Sequence, residues 1–230
     1  GQRLARQGQP TYERLIQVLR ASAVVNADET SWKVGGAKAW LWVFTNQAAT
    51  VYVIDPTRAH EVAEQVLGEE FDGVLGCDCF PAYDPLPYRQ QKCRGHVLKR
   101  CSQIALLESE AAVTFSQQVA ALLRRAIQLK ARQTALSPHG YRVARGQVAA
   151  ALDRLLAQEV TDPDSAKLVK LLTKQRAHLL TFLYVAEVDA TNNLAERRIR
   201  PAVIVRKISA GNRSHPGADT HAILTSVIHT

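Results

Sequence analysis

Residues 24–54, VVNADETSWKVGGAKAWLWVFTNQAATVYVI, decide the fold of this 230-residue chain. The stretch contains three runs rich in β-branched and aromatic residues, which favour β-strands. Gly35-Gly36 separates the first run from the second, and Asn46-Gln47 separates the second from the third. Such pairs are typical of hairpin turns, so the stretch predicts three consecutive antiparallel strands.

The segments on either side of these runs predict two helices and a fourth strand. Residues 10–21 have helical patterning, with Pro10 near the first turn. Residues 60–67 predict a helix that ends at Gly68, and residues 73–78 form a short apolar run that ends in an acid. Because a strand entered through a crossover helix runs parallel to its neighbour, the fourth strand is predicted to lie parallel to an earlier one.

From about residue 103 the pattern becomes helical throughout. Apolar residues recur at helical spacing over 119–127 and 148–156, and the segments 137–140 and 161–164 mark the breaks between helices. A short strand at 91–93 and a helix from Arg94 precede this region. The sequence thus predicts an α/β fold, a mixed sheet core interrupted by an all-helical insertion.

Domain boundaries follow from these changes of pattern. We expect a helical lead-in at 1–22, the first part of the core at 23–102, the helical insertion at 103–186 and the second part of the core at 187–230. A helix beginning after Asn192 is predicted to stop at Pro201.

Composition excludes several classes of protein. Hydrophobic residues make up 47% of the chain and charged residues 22%, which excludes global disorder. No apolar run approaches the ~20 residues of a membrane span, so we expect no membrane partner and a cytoplasmic protein. The chain has 29 Lys and Arg against 21 Asp and Glu, and this net charge of +8 is compatible with a polyanionic partner.

Two residue counts concern the origin of the chain. It contains no Met and begins with Gly, and we therefore expect a piece of a longer protein that lacks its natural start. The four cysteines all lie between residues 77 and 101, which favours reduced thiols in the cytosol over a secreted disulfide framework. Cys77, Cys79, Cys93 and His96 also have spacing that can hold zinc, but buried thiols are the favoured interpretation.

Three acids form the candidate catalytic constellation. Asp28 and Asp78 stand at or near the ends of the first and fourth predicted strands, and Glu196 stands on the late helix. If those strands are neighbours, the two Asp side chains meet, and a helix packed across them can bring Glu196 to the same point. Converging carboxylates need cations, and their hard oxygen ligands suit Mg²⁺ or Mn²⁺. Glu29 is the rival of Asp28, but strand alternation points it to the opposite face.

Several blocks of the chain carry a resemblance to a known family. They are DETSW from Asp28, GAKAWLWVF from Gly36, Asp78 followed by AYD from Ala82, CRGH from Cys93, NNLAER from Asn192, and RP, RK, GNRS and GA between Arg200 and Ala218. Together they resemble the DDE transposases of bacterial insertion sequences, most of all the family numbered sixty-six, the TnpC type. The resemblance covers essentially all of 22–230.

This resemblance implies an RNase H-like core and Mg²⁺-dependent cleavage and joining of DNA strands. The catalytic and metal-binding triad then corresponds to Asp28, Asp78 and Glu196. It also implies further N-terminal DNA-binding and zinc-binding segments, a homo-oligomer assembled on DNA, and a location at the bacterial nucleoid. The chain departs from the family at Cys79, where Gly is usual, so a side chain stands close to the second acid.

Basic residues follow Glu196 closely and are predicted to contact the DNA backbone without reading sequence. They are Arg197, Arg200, Arg206, Lys207 and Arg213. The predicted function is therefore that of a transposase catalytic domain. Two alternatives stay open: a catalytically silent DNA-binding remnant, and an RNase H-like nuclease that cuts without strand transfer.

Overall fold

The computed structural model of the chain describes residues 1–106 and 110–230, which form a five-stranded mixed sheet and surrounding helices. The strands are β1 (Val24–Val34), β2 (Ala37–Thr45), β3 (Thr50–Asp55), β4 (Val74–Cys77) and β5 (Arg89–Lys92). Their order in the sheet is β3-β2-β1-β4-β5. The pairs β1–β2 and β2–β3 are antiparallel and β4 is parallel to β1, which confirms the predicted hairpins and the predicted parallel strand. Gly35 and Gly36 form the first turn with φ of 58° and 84°, values that favour glycine.

The helices are α1 (Gln2–Arg20), α2 (Glu61–Leu67), α3 (Arg94–Ile104), α4 (Glu110–Ala131), α5 (Pro138–Leu156), α6 (Pro163–Lys174), α7 (Asn193–Ser209) and α8 (His215–His229). Ser137 and Asp162 cap α5 and α6 by accepting hydrogen bonds from backbone N–H groups of the first turn. These two caps confirm the predicted breaks within the helical region. Among the described residues, no helix has the length and apolar character that a membrane span requires.

Two predictions about proline were wrong. α7 continues through Pro201, where the sequence predicted a stop, and α1 begins at Gln2, so that Pro10 lies in its interior. An interior proline removes one helical hydrogen bond and crowds the preceding turn. In α7, buried side chains on both sides of the proline, Ile199 and Ala202, pack in a core cluster with the sheet, and this packing outweighs the local cost.

By their internal contacts, residues 1–90 and 192–230 form one compact unit and residues 91–191 form another. In the first unit, α1 and α2 cover one face of the sheet around Trp42 and Phe44. α7 and α8 cover the other face around Leu41 and Tyr52. The first unit is therefore a three-layer sandwich of helices, sheet and helices.

The second unit is helical. α4 lies at its centre and contacts α3, α5 and α6. The described part of 103–181 contributes no strand to the sheet, as the periodicity predicted. Residues 107–109, which fall inside the predicted insertion, lie outside the described residues. The insertion boundaries at 103 and 186 stay predictions; the compact unit is wider and includes α3.

The pairing between β1 and β4 is short. It joins residues 24–26 of β1 to residues 74–76 of β4 and goes no further in the described sheet. Beyond it, the outer edge of β1 meets the end of α7 and the segment that follows it. Arg206 donates to Ser31 O at 2.7 Å, Asn212 N donates to Lys33 O at 2.9 Å, and Gly35 N donates to Asn212 O at 2.9 Å.

Candidate active site

The three predicted acids belong to the first compact unit, residues 1–90 and 192–230, and they lie on one face of its sheet. Residues of even number near the start of β1 point toward α7, as Asn26 does when it donates to Asn192 at 2.9 Å. Asp28 follows two residues later and therefore shares this face. Asp78 follows β4 directly, and Glu196 lies in the first turn of α7. If the β1–β4 register is extended by two residues, Asp28 lies level with Asp78.

Asn192 attaches the beginning of α7 to β1. Its side chain is 1% exposed, and its Nδ2 donates to Ala27 O at 2.7 Å while its Oδ1 accepts from Asn26. Gly76 lies against the same pair, since a Cβ at that position would be 2.5 Å from the Asn26 Nδ2. Glu196 N donates to Asn192 O, so Glu196 stands one helical turn from this attachment. From the sequence, Asn192 belonged to the NNLAER block and no role was predicted for it.

Electrostatics indicates that the three carboxylates interact. The pKa of Asp28 is raised to about 7, first by burial, then by the negative charge of Glu29, and further by Asp78 and Glu196. A backbone hydrogen bond from Glu29 N to Asp28 Oδ1 at 2.9 Å opposes this rise in pKa. Asp78 Oδ1 accepts a similar bond from Phe80 N at 2.8 Å. Asp28 therefore lies close enough to both other acids for their charges to disfavour its ionised form.

This donor set suits a hard divalent cation. Three carboxylates on one face offer only oxygen ligands, which Mg²⁺ and Mn²⁺ prefer over nitrogen and sulfur. Within the described residues no basic side chain forms an ion pair with Asp28, so its negative charge is not neutralised by a salt bridge. The residues present thus fit the cation that the sequence predicted.

The cysteines on either side of Asp78 differ in burial. Cys77 is fully buried in the core cluster on the opposite face of the sheet, and Cys79 is half-buried. None of the four cysteines, all of which the structure describes, forms a disulfide. Cys77 therefore belongs to the core and points away from the acids.

Glu29 lies on the opposite face from Asp28, as strand alternation predicted. Its side chain is 1% exposed and forms a salt bridge with Arg58 at 2.6 Å. Its Oε2 accepts a hydrogen bond from Tyr83 at 2.5 Å. Burial raises the pKa of Glu29, while the bonds from Tyr83 and Arg58 lower it. The sequence did not predict this pairing. Its one signal there was that Glu29 and Tyr83 belong to two of the blocks that carry the family resemblance, DETSW and AYD.

The predicted DNA-binding residues divide into two groups. Arg197, Arg200 and Lys207 lie exposed at helical spacing along one side of α7, and Arg213 is exposed beyond the helix. Arg206 is half-buried, and its Nη1 donates to Thr30 and Ser31 of β1 at 2.7 Å each. Arg206 therefore connects α7 to the sheet in addition to any contact with DNA.

Two comparisons with known proteins concern the family of the chain. The chain is 25% identical to "Uncharacterized protein y4jD" of Sinorhizobium fredii (strain NBRC 101917 / NGR234) over 262 aligned positions, which cover 100% of this chain and 51% of the relative. The chain thus spans about half the length of the curated relative it matches. A model of the family described as "Transposase IS66 family" matches residues 2–220. Because that match covers nearly all of the sequence, the chain belongs to the IS66 family of transposases.

Proposed function

We propose that the chain is a transposase catalytic domain that cleaves and joins DNA strands with Mg²⁺ or Mn²⁺ held by Asp28, Asp78 and Glu196. The observation that carries this proposal is the attachment of Asn192, at the start of the helix that bears Glu196, to Asn26 and Ala27 of β1 beside Asp28. The pKa of Asp28, which burial and then the charges of Glu29, Asp78 and Glu196 raise to about 7, supports the same grouping. Carboxylates that interact in this way are stabilised together by a divalent cation. Membership of a transposase family implies a DNA-processing enzyme and DNA as its partner.

The topology supports an RNase H-like core as part of this proposal. Three antiparallel strands are followed by a parallel strand, in the order β3-β2-β1-β4-β5, so that the first acid lies on the central strand and the second directly after the neighbouring strand β4. The third acid comes from a helix on the same face. Assembly as a homo-oligomer on DNA and a location at the bacterial nucleoid complete the proposal.

In this mechanism the protein holds the cations and orients the side chains that bind them. Asp28, Asp78 and Glu196 would bind the cations, and Asn192 would keep Glu196 facing the other two acids. When bound, Mg²⁺ or Mn²⁺ polarises the scissile phosphate and stabilises charge on the attacking and leaving oxygens. Because burial and nearby charges raise the pKa of Asp28 to about 7, its carboxyl would give up a proton to the solvent on taking its place as a cation ligand.

Two phosphoryl transfers make up the reaction. In the first, water attacks a phosphodiester at the end of the element and a 3′-hydroxyl leaves. In the second, that 3′-hydroxyl attacks a phosphodiester of the target, the bond to the target's 3′-oxygen breaks, and the target 3′-hydroxyl leaves while the element end is joined to the target's 5′-phosphate. Exposed cations such as Arg197 and Arg200 would hold the DNA backbone near the acids, because their contacts to phosphate need no particular base sequence.

The test compares Glu196→Gln with Glu61→Gln in cleavage and strand-transfer assays on labelled DNA. The amide keeps the shape of Glu196 and removes a metal-binding charge, so we expect cleavage to be lost and DNA binding to be retained. Glu61 is exposed on α2, on the other face of the sheet, and its variant should keep wild-type activity. Wild-type cleavage by Glu196→Gln would refute the triad.

Arg200→Ala provides the complementary arm of the same experiment. It should weaken DNA binding and reduce the slope of log K against log salt concentration by about 0.9, the contribution of one phosphate contact. A wild-type protein that binds DNA without metal-dependent cleavage would indicate a silent remnant. Nicks without joined products would indicate a nuclease that lacks strand transfer.

A further inference from the structure

Arg58 contacts two aromatic rings on the face of the sheet opposite the acids. It stands in the segment between β3 and α2, and its guanidinium carbon is 4.5 Å from the ring centre of Trp40 and 3.3 Å from that of Phe80. A guanidinium close to two rings gains from a cation–π contact with each of them. Its position is therefore fixed by side chains from two different parts of the unit.

The same guanidinium also holds Glu29 with a fork of hydrogen bonds. Nε and Nη2 of Arg58 donate to Oε1 of Glu29 at 3.0 and 2.6 Å. Tyr83, on a 3-10 turn a few residues beyond Asp78, donates to the other oxygen of Glu29. We call these five residues, Glu29, Trp40, Arg58, Phe80 and Tyr83, the Arg58 clamp.

Two members of the clamp, Glu29 and Phe80, donate backbone hydrogen bonds to the two aspartates of the proposed site. Glu29 N donates to Asp28 Oδ1 at 2.9 Å, and Phe80 N donates to Asp78 Oδ1 at 2.8 Å. Arg58 contacts the side chains of these same residues, the carboxylate of Glu29 and the ring of Phe80. One guanidinium thus connects the immediate supports of two acids that lie 50 residues apart in sequence.

The hydrogen bonds between β1 and β4 end before they reach Asp28 and Asp78, so another contact has to hold the two segments together at that level. The ladder between these strands ends at Asn26 and Gly76, two residues before each aspartate. At the level of Asp28 and Asp78, the described ladder therefore contributes no hydrogen bond that sets the separation of the strands. The clamp crosses between the two chain segments at that level, from the other face of the sheet.

We propose that Arg58 is a positioning residue, which sets the separation of Asp28 and Asp78 and so determines how tightly their face binds a divalent cation. This inference rests on the proposed function, because it assumes that the two acids are metal ligands. Residues behind the ligands of a metal site contribute by orientation, and losing one costs about 10- to 100-fold in metal affinity.

The test measures Mn²⁺ affinity by titration of the chain without DNA, together with thermal unfolding. Arg58→Ala should weaken Mn²⁺ binding by about 10- to 100-fold. Arg58→Lys keeps the charge but not the planar fork, so its affinity should fall between those of the wild type and Arg58→Ala. If Arg58→Lys binds Mn²⁺ no better than Arg58→Ala does, the planar fork itself sets the separation of the two acids. Wild-type Mn²⁺ affinity in Arg58→Ala would overturn the proposal.

Arg20→Ala is the matched control for general loss of structure. Arg20 belongs to the same unit and donates to Val66 O at 2.9 Å and to Gln65 O at 2.7 Å, which attaches α1 to α2. Its loss should lower stability and leave Mn²⁺ affinity unchanged. An equal loss of affinity in Arg20→Ala and Arg58→Ala would mean that Arg58 acts only through general stability, and the proposal would be withdrawn.

Two further variants keep the test decisive. If Arg58→Ala does not fold, the double variant Glu29→Gln/Arg58→Met removes both charges, fills the space between the rings and should still bind Mn²⁺ more weakly. Glu196→Gln separates the two hypotheses. If it binds Mn²⁺ as the wild type does, the proposed metal site fails; if it binds weakly while the double variant binds normally, the clamp alone fails.

Discussion

Asp28 and Glu29 are neighbours on β1, and the two faces of the sheet treat their carboxylates in opposite ways. On one face Glu29 is buried and neutralised by Arg58, with Tyr83 as a second donor. On the other face the pKa of Asp28 rises to about 7, first because the carboxyl is buried, then because of the charge of Glu29, and further because of Asp78 and Glu196. A carboxylate with its own ion pair and hydrogen bonds, such as Glu29, is part of the architecture, whereas a buried carboxylate such as Asp28, which has other acids near it and no ion pair within the described part of the chain, is suited to bind a cation from solution.

The largest effect on stability is expected for Glu29, whose carboxylate is paired with Arg58 and Tyr83. Glu29→Ala leaves Arg58 and the Tyr83 hydroxyl without their acceptor, and breaking a buried ion pair costs about 3–5 kcal/mol. Urea unfolding measures this loss. Glu69→Ala, which removes an exposed acid of the same unit, should change the free energy of unfolding by less than about 0.5 kcal/mol. Equal effects of the two variants would remove the distinction between the faces.

On the other face, removing the negative charge of Asp28 should stabilise the protein at neutral pH. The folded pKa of Asp28 lies above the usual value of 3.8, so the folded state binds its proton more tightly than the unfolded state does. This contribution to stability is complete below about pH 4 and disappears as the pH rises through about 7.

The free energy of unfolding of Asp28→Asn should therefore increase relative to that of the wild type as the pH rises from 4 to 8 in the absence of divalent cations. The relative gain is at most about 4 kcal/mol, since each pKa unit corresponds to about 1.4 kcal/mol. The variant should also be inactive in cleavage. Unfolding curves in a chelator measure the gain, with Asp72→Asn, an exposed acid, as the control. Parallel pH profiles for the wild type and Asp28→Asn would contradict the burial and repulsion inferred for Asp28.

The smallest effect is expected where α7 meets β1. Asn192→Ala removes one hydrogen bond to Ala27 O and one from Asn26, and we expect a loss of about 1–3 kcal/mol. Cleavage should fall about 10- to 100-fold, because Glu196 is no longer held toward the other acids. Asn193→Ala, at the exposed neighbouring position, is the control for both measurements. Full activity in Asn192→Ala would show that α7 needs no such attachment.

Local patterns predicted most of the architecture. The glycine pair at 35–36, the caps at Ser137 and Asp162 and the alternation of Asp28 with Glu29 act within a few residues, so each can be recognised from the sequence. Pro201 was misjudged because its local cost is outweighed by packing of Ile199 and Ala202 in the core cluster with the sheet.

The candidate site was predictable only in part, because its contacts connect distant positions. The three acids were chosen from strand ends and from the resemblance. Arg58 is 29 residues from Glu29, and Tyr83 is 54 residues from it, so no periodicity links them. The attachment of Asn192 to Ala27, 165 residues away, is likewise visible only after the chain has folded.

The unpaired outer edge of β1 also bears on self-association. An exposed strand edge is a template on which a strand of another molecule can add, and this is a common origin of aggregation. Beyond Asn26, three backbone groups of β1 along this edge have partners: Glu29 N donates to Asp28, Ser31 O accepts from Arg206, and Lys33 O accepts from Asn212. Side chains and a short return of the chain therefore block strand addition along this edge, and α7 protects the sheet from aggregation while it carries Glu196.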